Sequence, residues 1–178
     1  MRGRLLTLCL LGIFLLAQVG LGAEVFTEGY AISCREDLPG CLLLQMVFMG
    51  SFSIGEDPIT LRVLSAAYPR LCKVTEEDIE HFEEEFGAEE DEVEERLYRA
   101  MANALYADIW MQREAGEDIG LTRRVLWLFL NPEEKDAKEE MEIIREGMDE
   151  EVLAVMAEEA GCEEDFLAWL IGLEEDDD

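Results

Sequence analysis

Histidine, lysine and proline are scarce in this chain: one, three and four among 178 residues. Each shortage excludes something. Glu77, His81 and Glu85 are spaced to stack on one helix face, and Asp78 lies three residues before the histidine. Di-iron bundles, however, need a second carboxylate–histidine pair, and no second histidine exists to supply it. The basic residues number 14 against 43 Asp and Glu, for a formal charge of −29. That surface repels phosphate, which argues against nucleic acid as a partner. Anionic membrane surfaces are disfavoured for the same reason.

Several signatures are also missing. The sequence has no G-x-S-x-G elbow, no glycine-rich loop that could cradle phosphate, and no N-x-[ST] sequon. No D-x-[DN]-x-[DN]-G loop is present, so calcium binding would be diffuse and weak. No C-x-x-C pair occurs, which disfavours a zinc site. No apolar run reaches the roughly 20 residues of a comfortable membrane span. No catalytic residue, cofactor site or metal ligand is therefore assigned.

At the start of the chain, Arg2 and Arg4 precede an apolar run from Leu5 to Val19, followed by Gly20, Leu21, Gly22 and Ala23. A basic start, a short apolar centre and small residues at the end predict a signal peptide over residues 1–22. A secreted or periplasmic location follows, with no membrane span left after cleavage. Cys9 follows Leu8 inside the run, which does not suit a lipoprotein. Cleavage removes two bases, so the remaining chain is still more acidic, and it leaves Cys34, Cys41, Cys72 and Cys162. An even count in an exported chain predicts two disulfides. The favoured pairing is Cys34–Cys41, across the Leu38-Pro39-Gly40 turn, with Cys72–Cys162. The long closure would stabilise by roughly 4.5 kcal/mol and the short one by about 2.5.

Residues 23–173 read as one α-helical domain, with 174–178 an acidic tail. The organising stretch runs from Asp91 to Arg113. Val93, Leu97, Ala100, Met101, Ala104, Leu105, Ala107 and Met111 share one face at helical spacing. The charged side (Glu92, Glu95, Arg96, Arg99) gives way to Tyr106, Ile109 and Trp110, so the helix enters a core. Residues 24–35 have little periodicity and read as an extended lead-in.

Around the central helix the spacing predicts others. One covers about Leu38 to Met49. A second starts at Asp57-Pro58, with Ile59, Val63 and Ala66/Ala67 sharing a face, and ends at Pro69. A third opens at Thr75 and stops at Gly87. Another follows Gly120, and one is capped by Asn131-Pro132, with Ala137, Met141 and Ile144 inward and Arg145 outward. Two more run from Asp149 to Gly161 and around Phe166 to Leu173. The fold class is all-α, a compact orthogonal bundle of about six to seven short helices. A short α-solenoid is the alternative.

Two features bear on function. Asp108 falls inside the apolar stripe and requires a partner, which Arg123 or Arg124 could supply. The crowded glutamates repel at i, i+4, at about 0.2–0.5 kcal/mol per pair, so counterions or a basic partner should offset them. The expectation is an exported, non-enzymatic acidic protein that binds another polypeptide through its acidic or apolar helix faces. The alternatives are a weak divalent-cation-binding or salt-adapted accessory protein, or an enzyme with an unrecognised site.

Overall fold

The computed structural model describes residues 39–54, 57–132 and 137–173. The signal segment, the lead-in, Cys34 and the acidic tail lie outside the described residues. Eight helices make up the described chain, and no strand occurs among those residues. They are α1 (Gly40–Phe48), α2 (Pro58–Leu71), α3 (Glu76–Phe86), α4 (Glu90–Glu114), α5 (Gly120–Leu130), α6 (Ala137–Glu146), α7 (Glu150–Ala160) and α8 (Glu164–Ile171).

The helix starts follow local chemistry. Asp57 accepts from the Ile59 and Thr60 amides, and Pro58 takes the first helical position, where a missing N–H costs nothing. Thr75 and Asp78 form a reciprocal capping box at the head of α3. Asp149 accepts from the Val152 amide. Gly87 and Gly161 end α3 and α7 in the left-handed region, at φ 66° and 72°, where a side chain would be strained.

The 25-residue α4 is the axis of the fold. Val93, Leu97, Ala100, Met101, Ala104, Leu105, Ala107 and Ile109 are buried along it. Its largest interface is with α2, and α1, α3, α5 and α8 also pack against it. A solenoid repeat touches only its neighbours, so this arrangement is a bundle.

Three local expectations need correction. Of the face expected for α2, Ala67 is buried and Val63 half-buried but Ile59 and Ala66 are exposed; the buried face is Leu61, Leu64, Ala67, Tyr68 and Leu71. Both stripes have helical spacing, and the one with three leucines and a tyrosine buries more apolar area. Pro69 sits inside the last turn of α2 and does not end it. Asn131 closes α5, its side chain donating to the Trp127 carbonyl, so it serves as a C-cap. Arg145 is exposed, as expected, and it also makes contacts: Nε donates to the Ile171 carbonyl at 2.5 Å, and the guanidinium lies over the Phe129 ring. A cation on the last carbonyls of α8 is favoured there.

Candidate functional site: an apolar groove across α5, α6 and α7

Among the described residues, the apolar side chains of α6 and α7 are less completely covered than those of α4. α6 exposes Lys138, Glu139, Glu140, Glu142 and Glu146, packs on α5, and borders a cavity shared with α5 and α7 through Ile143 and Ile144. Only Ala137 of that helix is fully buried; Met141 and Ile144 are half-covered. Ile143 is adjacent to Ile144, and two neighbouring apolar residues on a helix point about 100° apart. One of them is therefore left outside.

Leu121 of α5, Ile143 of α6, and Val152 and Val155 of α7 are 78, 62, 41 and 52% exposed. All four border one groove of about 670 Å³, together with Val125, Ile144, Met148 and Met156. Its charged lining residues are Glu151 and Glu159, and no Lys or Arg lines it. The Thr122 hydroxyl donates to the Glu159 carboxylate and so ties α5 to α7 beside the groove. The lining holds no thiol or imidazole, and its one hydroxyl is already committed to that bond. The arrangement can bind an apolar surface but offers no nucleophile paired with a base.

The residues singled out by sequence lie elsewhere. Asp108 is held by Arg123, whose Nη1 donates to Oδ2, by Ser65 Oγ at 2.8 Å and by Gln112 Nε2 at 3.3 Å. The carboxylate thus joins α2, α4 and α5, and the partner required of it is Arg123. Arg124 pairs with Asp118 instead. His81 is exposed on α3, 3.9 Å from Glu85.

Cys41, Cys72 and Cys162 are free thiols, so the expected Cys72–Cys162 disulfide is not formed; the expected Cys34–Cys41 pairing falls on Cys34, outside the described residues. Tyr68, whose hydroxyl donates to the Ala160 carbonyl at 3.3 Å, lies between the end of α2, which Cys72 closes, and the end of α7. Burial pushes the Cys72 thiol up to about 12, with Cys162 adding to the shift. Burial also raises Cys162.

No family model, curated protein or solved structure matches this chain. The functional reading therefore rests on its own surfaces. Sequence reasoning missed the groove as a site. The signal that could have found it is the excess of apolar residues over one face in α6 and α7, namely Ile143, Val152 and Val155.

Proposed function

We propose that this is an exported, acidic helical protein that binds another polypeptide in the α5–α6–α7 groove. The observation that carries the reading is the exposure of Leu121, Ile143, Val152 and Val155 around a single cavity. Large side chains left in water lose the roughly 1.5–3 kcal/mol each would gain by burial, and contiguous patches of this kind mark interaction sites. The three short helices that form the groove suit an amphipathic helix, whose anchors at i, i+3, i+4 and i+7 would enter it.

The partner's flanks are basic. Glu151 and Glu159 line the groove, and Glu142, Glu146 and Glu158 are exposed on the same two helices. A field of this sign speeds encounter with cations and rejects anions. It also disfavours a second copy of the chain, which would bring the same −29.

The test is titration with a synthetic helical peptide bearing leucines at those spacings and lysines elsewhere. Ile143→Lys with Val155→Lys should weaken binding at least tenfold, and a glutamate version of the peptide should not bind. Binding that ignores the two lysines and vanishes with salt would mean non-specific attraction to the acidic surface, and would sink the proposal.

A second reading, diffuse cation binding, is favoured by the acid crowding at Glu94. Its carboxyl is raised by burial and then by Glu90, Asp91, Asp165 and Glu76. A melting temperature that climbs with calcium well beyond matched ionic strength would support it.

A further inference from the structure

A cleft of about 450 Å³ opens between α3, α4 and α8, and it shares no lining residue with the α5–α6–α7 groove. Its floor is apolar: Ile79, Leu97 and Phe166 are buried beneath it. The half-buried Tyr98 ring lies beside Phe166, with centroids 5.8 Å apart, and Trp169 lies against both at 5.7 and 6.3 Å. The walls are acidic. Glu76 of α3, Glu94 of α4, and Glu163 and Asp165 at the head of α8 line them, and no Lys or Arg does. None of these four carboxylates forms an ion pair among the described residues.

We infer that this cleft binds a small organic cation, an ammonium carried on an aromatic or aliphatic body, with the body on the Leu97–Phe166 floor and the charge among the carboxylates. The volume lies within the roughly 300–1,000 Å³ of small-molecule sites. The floor gains by covering an apolar body, and the faces of Tyr98 and Phe166 attract a cation. A hydrated metal ion would gain nothing from such a floor. No three acidic, histidine or cysteine side chains among the described residues converge as metal ligands do, so the negative charge is spread along the walls and not focused on one point. An anion of the same shape is repelled by those walls.

Glu94 is the anchor. Glu76, Glu163 and Asp165 stand at the N-terminal ends of α3 and α8, where the helix dipole offsets their charge. Glu94 is half-buried in the second turn of α4, beyond that offset. Its carboxyl is raised by burial and then by Glu90, Asp91, Asp165 and Glu76, so a cation in the cleft relieves repulsion that reaches it from three helices. This site goes beyond diffuse cation binding, because the apolar floor sets which cation is held, and it does not depend on a partner in the groove.

The experiment is calorimetric titration of the full-length chain at low ionic strength with 2-phenylethylammonium, ethylammonium and phenylacetate. The first should bind saturably at one site. Ethylammonium, which lacks the ring, should bind at least about tenfold more weakly, and phenylacetate should not bind. Glu94→Gln should weaken 2-phenylethylammonium about fivefold or more while leaving the melting temperature unchanged or higher, since it removes like-charge repulsion. The Tyr98 ring signals should shift during the titration, which reads the same cleft without any substitution. Ile143→Lys with Val155→Lys, which blocks the groove, should bind the ligand as the unmutated chain does. Equal affinity for the two ammonium ions would reduce the effect to surface charge and overturn the proposal. So would unchanged binding in Glu94→Gln, still Tyr98 signals, or loss of binding in the groove variant, which would place the ligand elsewhere.

Discussion

Along the α2–α4 seam, Leu64, Ala104 and Leu105 are removed from water completely, whereas across α6 and α7 Ile143, Val152 and Val155 are exposed to it. The side chains are similar in kind, so the difference lies in what surrounds them. α4 is long enough to be covered by α1, α2, α3, α5 and α8 at once. α6 has only ten described residues and packs chiefly on α5. A face enclosed by several neighbours is used for stability; a face with so few is available for something else. Changes on the first should cost folding energy, and changes on the second should cost binding with little effect on folding.

The largest effect is expected at the centre of the seam. Leu105→Ala removes a fully buried side chain and leaves a cavity, at a cost of about 3–4 kcal/mol in denaturant unfolding. A loss below about 1 kcal/mol would mean that the seam relaxes freely and is not the core described.

Next comes the polar pin of the same seam. Asp108→Ala frees Arg123 and Ser65 in a part-buried setting, which should cost about 2–3 kcal/mol. Adding Arg123→Ala should cost much less than the sum of the single changes, because the second change removes the charge left unpaired by the first. Strict additivity in that double-mutant cycle would argue that the pair contributes nothing.

A third effect is a pH dependence at the junction between the two regions. Cys72 lies near 12 in the fold and near 9.0 in the ordinary thiol, because burial and Cys162 disfavour its anion. The unfolded chain therefore ionises first. This contribution is complete below about pH 9 and falls away as pH rises toward 12, by roughly 1–2 kcal/mol after allowance for partial exposure. Cys72→Ala should flatten that slope in reduced protein, and an unchanged slope would assign it to other groups.

Legibility in the sequence followed the range of the interaction. Thr75, Asp149 and Asp57 were readable as caps, and Gly87 and Gly161 as stops, because each acts within its own turn. Asp108 was readable because a carboxylate inside an apolar stripe demands a partner wherever the chain goes. The inward face of α2 was not readable. Ile59/Val63/Ala66 and Leu61/Leu64/Ala67 both fit helical spacing, and only packing against α4 selects between them. Asn131 was misread because asparagine suits either end of a helix, and its tie to Trp127 depends on α5 having already formed. The groove was hidden for a further reason. Periodicity identifies which side of α6 and α7 is apolar but not whether another helix arrives to cover it.

The smallest expected change in stability is also the most discriminating. Ile143→Ser and Val155→Ser remove apolar surface that already lies mostly in water, so unfolding should shift by no more than about 0.5 kcal/mol each. The same substitutions should weaken capture of the lysine-rich amphipathic peptide severalfold, since each deletes an anchor contact made only in the complex. The contrast with Leu105→Ala then becomes quantitative: one side chain matters to the folded chain alone, the others to the chain with its partner. If the serine variants instead unfold as readily as Leu105→Ala, the exposed face of α6 and α7 is part of the core after all, and the groove has no role as a docking surface.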